Sequence, residues 1–97
     1  MNLELRFHPE AEKEVLGSAA WYAERSPVAG QAFLLELNFV VEQILEAPER
    51  CPLSLHGTRR IVFPRFPFSV FCRVSGDVAE IIAVAHQSRR PGYWRSR

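Results

Sequence analysis

The spacing of apolar and polar residues changes period along the chain, and each change marks a predicted element. Residues 3–7 read Leu-Glu-Leu-Arg-Phe and alternate apolar and charged side chains, which is typical of a short strand with one buried face. From residue 9 to residue 46 the apolar residues recur at helical spacing. Beyond residue 59 the period returns to two. The pattern therefore predicts one strand, a helical region and then a group of strands.

The helical region is divided into two helices at Arg25-Ser26-Pro27. Serine caps helices and proline opens them, whereas the residue before a proline avoids helical backbone angles. His8-Pro9 opens the first helix in a similar way, and Ala47-Pro48 ends the second. We expect a helical hairpin with an apolar stripe on each helix: Ala11, Val15, Ala19 and Tyr22, flanked by Leu16, Ala20 and Ala23, and then Phe33, Leu37, Val40, Val41, Ile44 and Leu45.

Two features of the first helix have simple local interpretations. Glu10, Glu12 and Glu14 lie in its first turns, where acids complement the positive end of the helix dipole. Gly17 is a weakness in a helix, and we interpret it as a point of close packing.

The second half predicts a loop followed by three short strands. Residues 48–58 contain two prolines and a glycine and indicate a loop, and residues 60–63 form a strand that ends before Pro64. Residues 68–86 predict a hairpin that turns at Ser75-Gly76-Asp77. The predicted fold class is α+β in the order β-α-α-β-β-β. A helical hairpin packs on a small, mostly antiparallel sheet in a single domain spanning residues 1–97.

The net charge of +1 conceals a division between the two halves of the chain. Residues 1–49 carry nine acidic and three basic side chains, and residues 50–97 carry nine arginines against two acids, so the halves hold −6 and +7. A basic half indicates an anionic partner, either a nucleic acid or an acidic protein segment. The alternative is that the two halves neutralise each other across the fold.

Composition and spacing exclude several function classes. No apolar run approaches the roughly 18 residues of a membrane span, and the N-terminus lacks a basic stretch followed by an apolar one, so a cytoplasmic protein with no membrane contact is expected. Cys51 and Cys72 have no metal-ligand spacing, and a cytosolic disulfide is uncommon. We therefore expect no metal site, no cofactor and two thiols that are buried or half-buried.

The C-terminal segment, residues 85–97, mixes histidine, arginine and aromatic residues in a stretch too rich in proline and glycine for a long helix. The last strand ends in His-x-x-Arg-Arg-Pro-x-Tyr-Trp and follows the motif Arg-x-x-x-x-x-Phe-Pro-Phe, and the two helices are opened by His-Pro-x-Ala and Ser-Pro-x-Ala. Together these motifs resemble the RelE/ParE toxin superfamily. The resemblance covers nearly the whole chain. It implies a bacterial toxin of a type II toxin–antitoxin system, of the plasmid stabilisation type, neutralised by the C-terminal segment of an antitoxin encoded beside it.

The resemblance implies one of two activities. RelE-like members cut mRNA on the ribosome with basic and aromatic side chains, and here Arg60, His86, Arg90 and Tyr93 would supply that set. ParE-like members inhibit DNA gyrase without an active site of their own. Many RelE-like nucleases carry lysines before the second strand, whereas Lys13 is the only lysine in this chain, which favours ParE. A decayed toxin that only binds its antitoxin is the third hypothesis.

The basic and aromatic residues of the second half are the candidate contacts to the antitoxin or to the target. Each has a structural alternative. His86 can be a hydrogen-bonded residue at the core edge, Arg89 and Arg90 can bond helix acids such as Glu36 or Glu42, and Tyr93 and Trp94 can close over a small core. The candidate set is Arg59, Arg60, Arg73, Arg89, Arg90, Tyr93 and Trp94.

Overall fold

A computed structural model describes residues 3–97, and it has the predicted order of elements. One strand is followed by two helices, two single turns of 3-10 helix and three strands. The bounds are β1 Glu4–Phe7, α1 Pro9–Arg25, α2 Pro27–Glu46, 3-10 turns at Pro48–Arg50 and Leu55–Gly57, β2 Arg59–Val62, β3 Phe68–Ser75 and β4 Val78–His86. The α+β class and the helical hairpin are therefore confirmed, and the predicted loop over 48–58 contains two short helical turns.

Both helices begin at the caps that the sequence indicates. The His8 ring accepts a hydrogen bond from the backbone N–H of Glu10 at 3.1 Å, and the Ser26 hydroxyl accepts one from that of Ala29 at 3.4 Å. These side chains satisfy amide groups that have no partner within the helix. Each cap is followed by a proline in the first turn, so the chain enters each helix with a fixed backbone angle.

Close packing between the helices occurs at Gly30 and not at Gly17. A Cβ atom on Gly30 would lie 2.8 Å from the Cβ of Ala23, too near to be accommodated without a shift. A Cβ on Gly17 would meet nothing within 4 Å, so the interpretation of Gly17 as a packing point is wrong. Gly17 instead leaves open space on the surface of α1.

The sheet is mixed, with strand order β1-β4-β3-β2. β1 runs parallel to β4, whereas β2 and β4 are both antiparallel to β3. β1 pairs with residues 78–81 only, and the chain then leaves the sheet to begin α1. β4 continues to His86. The second half of β4 therefore has no strand beside it on the β1 side.

A β-bulge in β4 alters which side chains face the helices. Cys72 pairs with Ile81 and Phe71 pairs with Ala83, so Ile82 has no partner on β3. A bulge shifts the alternation of faces by one residue. Ile81 and Val84 thus both pack in the helix-facing core, although a regular strand would place them on opposite faces. Ile82 and Ala83 pack in a second, smaller core on the other face.

The main core lies between α2 and the sheet. The whole predicted stripe of α2 is buried or half-buried, and Ala11 is the fully buried residue of α1. The three flanking residues of the predicted stripe of α1 are exceptions, because Leu16, Ala20 and Ala23 are all exposed, Leu16 at 64%. Outside the core, α2 has an exposed apolar surface formed by Val28, Leu34, Leu35 and Phe39.

The apolar character of α2 exceeds the sequence expectation. By length and composition alone it could cross a membrane, with a mean hydropathy of 1.3 over 18 residues. Core helices of soluble proteins pass the same criterion, and here α2 packs Phe33, Val40 and Ile44 fully buried in the main core.

Candidate functional site

The C-terminal segment after β4 folds back over the sheet face that the helices leave free. Trp94 is 1% exposed, and its ring lies 4.6 Å from that of Phe71 and 5.6 Å from that of His56, measured between centroids. Gly92 has a φ of 75°, which permits the reversal that brings Trp94 down. Trp94 thus closes over the second core together with Ile82, as the structural alternative expects, and it presents little surface to a partner.

Glu14 holds this segment in place. Its carboxylate accepts hydrogen bonds from the Tyr93 hydroxyl at 2.6 Å and from both terminal nitrogens of Arg97 at 2.9 and 3.0 Å. It also accepts the backbone N–H of Val84 at 3.0 Å, while Arg97 donates to the carbonyl of Ile82 at 3.1 Å. The Glu14–Arg97 pair therefore covers the backbone of β4 beyond the end of β1. The interpretation of Glu14 as a helix-dipole complement is wrong.

The Tyr93 hydroxyl is committed to this contact. Burial raises the pKa of Tyr93, and the hydrogen bond to the Glu14 carboxylate raises it further because the bond stabilises the protonated phenol. The Arg89 guanidinium stacks on the same ring at 3.9 Å from its centroid. Tyr93 is consequently a half-buried donor that fixes the segment. A residue that transfers protons at neutral pH needs a hydroxyl free to reach the substrate and a pKa of about 7.

Six of the candidate residues line one cleft between the sheet and the C-terminal segment. The cleft has a volume of about 300 Å³. Its floor contains Phe71 and Ala85, and its walls contain Ser54 and Gly92. We call it the arginine cleft. The candidates that line it are Arg60, His86, Arg89, Arg90, Tyr93 and, at its base, Trp94.

The polar side chains of the arginine cleft differ in how far they are engaged. Arg60 donates through Nε to the Ser69 hydroxyl at 3.0 Å, and its two terminal nitrogens take no part in this bond. The His86 ring accepts the Ser88 backbone N–H at Nδ1, 3.0 Å away, and the Ser88 hydroxyl lies 2.8 Å from the same atom. Arg90 is exposed. The cleft thus holds cations and few fixed proton acceptors.

Two candidates lie outside the arginine cleft. Arg59 donates to the backbone carbonyl of Cys51 at 2.8 Å, and it ties the loop before β2 to the strand. Arg73 donates to the carbonyls of Arg97 at 3.2 Å and of His56 at 3.3 Å, which joins the chain end to a 3-10 turn. Both therefore have structural contacts within the chain.

Within the part of the chain that the structure describes, the two charged halves meet at only one acid. Among residues 3–97, Arg89 and Arg97 are the arginines of the second half that lie within 4 Å of a carboxylate, and both approach Glu14. Glu36, suggested as a partner of Arg89 or Arg90, accepts the backbone N–H groups of Arg65 and Phe66 instead. Arg89 does approach an acid of the helices, as the structural alternative expects, but that acid is Glu14 and not Glu36 or Glu42. Within residues 3–97, mutual neutralisation of the halves is limited to the contacts of Arg89 and Arg97 with Glu14.

A second depression lies between α1 and the unpaired part of β4. It has a volume of about 480 Å³ and is mainly apolar, with Gly17, Trp21 and Val84 among its walls. Trp21 is 51% exposed, and the Arg25 guanidinium stacks on its ring at 3.4 Å. Lys13 and Arg89 lie on the rim. We call this depression the α1 groove. The open space beside Gly17 belongs to it.

The cysteines are buried free thiols, as predicted. Burial raises the pKa of Cys72 to about 11, so the thiolate is disfavoured at neutral pH. In the part of the chain from residue 3 onward, no group of three or more His, Cys, Asp or Glu side chains is placed to hold a metal ion.

Comparison with known proteins gives a family and a fold. Residues 5–91 match the sequence profile described as the ParE toxin of the type II toxin–antitoxin system parDE. A solved structure described as the chromosomal ParDE TA system from P. aeruginosa superposes with a TM-score of 0.75 at 18% sequence identity, covering 87% of this chain and 95% of that one. No curated protein sequence matches.

Proposed function

The chain belongs to the ParE toxin family of type II toxin–antitoxin systems, and from this premise we propose that it inhibits DNA gyrase in the cytoplasm and is neutralised by a cognate antitoxin. Growth inhibition would follow from a binding event, without chemistry on a substrate. The observation that carries this choice over mRNA cleavage is the engagement of the Tyr93 hydroxyl by the Glu14 carboxylate at 2.6 Å. A phenol held in that way is a poor proton donor to a leaving oxygen.

The antitoxin would bind in the α1 groove as an amphipathic helix. An apolar depression with half-exposed aromatic walls suits the apolar face of such a helix. Lys13 and Arg89 on the rim would meet acidic side chains beside that face. The partner expected from this chemistry is a short protein with an acidic, amphipathic C-terminal segment.

Gyrase inhibition is tested by adding the full-length chain to a gyrase supercoiling assay while the same preparation is tested for mRNA cleavage by primer extension on translating ribosomes. We expect lost supercoiling or trapped DNA cleavage, intact mRNA, and relief of both gyrase effects by the co-expressed antitoxin. Ribosome-dependent cuts with normal supercoiling would overturn the proposal in favour of a ribonuclease that uses Arg60, His86 and Arg90. Normal growth, supercoiling and mRNA would identify a decayed toxin.

The antitoxin surface is tested with one groove variant and one matched control. Trp21→Ala removes a half-exposed aromatic wall, and buried aromatic anchors at interfaces contribute about 2 kcal/mol or more, so antitoxin affinity should fall about 30-fold. Leu53→Ala alters a side chain that is 75% exposed and lies outside the groove, so affinity should stay within twofold. Equal losses in the two variants would argue against the α1 groove as the antitoxin site.

A further inference from the structure

The arginine cleft is a concentration of positive charge that, among the residues the structure describes, an acid approaches only at Arg89. Arg60, Arg89 and Arg90 line it with His86, and none of the other lining residues is Asp or Glu. Arg89 lies 3.9 Å from the Glu14 carboxylate behind it, which leaves the charges of Arg60 and Arg90 without an acid within 4 Å. Cations brought together in a concave site raise the local concentration of anions.

The orientation of the groups suits an anion with several oxygens. The bond from Arg60 Nε to Ser69 fixes the plane of the guanidinium and leaves its terminal N–H groups free to donate. A guanidinium presents a planar fork that matches two oxygens of a phosphate. Neutral donors line the same cleft in Ser54 and Gln87, and the aromatic ring of Phe71 lines it as well. The cleft therefore combines guanidinium groups that suit phosphate with neutral hydrogen-bond donors.

The same cleft lacks a positioned acid–base pair. The Tyr93 hydroxyl donates to Glu14, and the Nδ1 atom of His86 is occupied by Ser88. Cleavage of a phosphodiester at the 2′-hydroxyl needs both a base and an acid in reach of the reacting oxygens. Because the Tyr93 hydroxyl and His86 Nδ1 are both engaged within the chain, we expect the cleft to hold a strand without cutting it.

We propose that the arginine cleft binds the phosphodiester backbone of a nucleic acid strand through Arg60 and Arg90 without cleaving it. One part of the inference rests on the proposed function: the strand is identified as DNA because the toxin would bind it within the gyrase–DNA complex. A toxin that contacts both gyrase and its DNA would add the two binding free energies and stabilise that complex.

The test measures fluorescence anisotropy of a labelled 20-nucleotide DNA single strand with the full-length chain at several salt concentrations. Arg60→Gln and Arg90→Gln should each weaken binding about tenfold, because a hydrogen bond to a charged group contributes about 1.5 kcal/mol or more. Each should also reduce the salt slope by about 0.7, the value for one lost phosphate contact on a single strand. Arg65→Gln removes an exposed arginine outside the cleft and should change affinity by less than about twofold.

Three results would overturn the inference. Equal weakening by Arg65→Gln would mean that binding follows total charge and not the cleft. If an acidic peptide of matched charge binds as tightly as the DNA strand, and its binding depends equally on Arg60 and Arg90, the ligand of the cleft is a carboxylate. Shortening of an RNA strand of the same sequence, lost in Arg60→Gln, would make the cleft a nuclease site. Thermal unfolding of each variant checks the fold, and Arg90→Lys, which retains the charge, should restore most of the salt slope.

The source of the strand is separated by comparing DNA with RNA and by repeating the gyrase assay. We expect DNA and RNA to bind within about threefold of each other, because the contacts are to phosphate. A preference for RNA above tenfold would overturn the assignment to DNA. If the wild type binds DNA but leaves gyrase active, the proposed function is wrong and the inference that the arginine cleft binds DNA is retained. If Arg60→Gln loses DNA binding yet inhibits gyrase as the wild type does, the cleft has no part in the gyrase complex.

Discussion

Replacement of Glu14 by glutamine should destabilise the protein more than any other change of one charge. The carboxylate accepts four hydrogen bonds, from Tyr93, Val84 and twice from Arg97. Glutamine keeps the shape and one acceptor oxygen, but it leaves the Arg97 guanidinium without a counter-charge. The side chains of Glu14 and Arg97 are each only 14% exposed, so water cannot replace the lost partner.

The magnitude follows from this burial. Breaking a buried pair by removing one partner costs about 3–5 kcal/mol, and we take about 3 kcal/mol because glutamine retains part of the hydrogen bonding. Small domains unfold with about 5–15 kcal/mol in total, so the loss is a large share of the stability. With a urea slope of ~1–1.5 kcal/mol per molar for a chain of this size, the unfolding midpoint should fall by about 2–3 M.

The assay is equilibrium urea unfolding followed by far-ultraviolet circular dichroism. Glu10→Gln serves as the control, because Glu10 pairs with Lys13 at 3.2 Å on the surface of the same helix with its side chain 50% exposed. An exposed pair contributes about 0–1 kcal/mol, so the midpoint of the control should shift by less than about 1 M. If Glu14→Gln shifts the midpoint no further than the control, the carboxylate does not fix the C-terminal segment and our reasoning is refuted.

Three further predictions concern ionisation, thiol access and helix packing. The pKa of Tyr93 is raised in the folded state, so the folded protein keeps this proton above pH ~10, where the unfolded chain releases it. The contribution of Tyr93 to stability is therefore complete below pH ~10 and declines above it. Between pH 9 and 12, the urea midpoint of Tyr93→Phe should fall less steeply with pH than the midpoint of the wild type. Cys51 and Cys72 should resist a disulfide-exchange thiol reagent at pH 8 until urea unfolds the protein, and rapid native labelling would contradict their burial. Gly17→Ala should stabilise the protein by ~0.5–1 kcal/mol, because nothing obstructs the added methyl group. Gly30→Ala should destabilise it by ~1–3 kcal/mol, because the methyl group would overpack the contact with Ala23. If both variants move the melting temperature in the same direction, the packing at these two glycines is contradicted.

The helices and most strand positions could be predicted from the sequence because their signals are local. Ser26-Pro27 and His8-Pro9 open the helices through contacts within three residues, and these contacts are the same in any fold. The hairpin of β3 and β4 likewise follows from two apolar segments and a tight turn at Gly76, which has a φ of 59°. Such features require no knowledge of what packs against them.

The bulge at Ile82 could not be predicted in this way. Ile82, Ala83 and Val84 are all apolar, so the sequence contains no alternation that would reveal a change of face. The choice is made by the two cores, which lie on opposite faces of the sheet and require Ile81 and Val84 on one side and Trp94 against the other. Packing of distant residues therefore decides the register of β4.

The candidate site also combines features that are visible in the sequence with features that depend on the tertiary structure. The sequence by itself identified the cations and aromatic residues of the C-terminal segment, because their types and clustering are visible there, and six of the candidates do line one cleft. It gave no indication of the role of Glu14, which lies 79 residues from Tyr93 and 83 from Arg97 along the chain. In sequence Glu14 looks like any acid in the first turns of a helix. Acids in the first turns of a helix are usually exposed. In this fold β1 ends early, and residues 93–97 pack against the unpaired edge of β4. These two features of the tertiary structure leave the Glu14 side chain only 14% exposed.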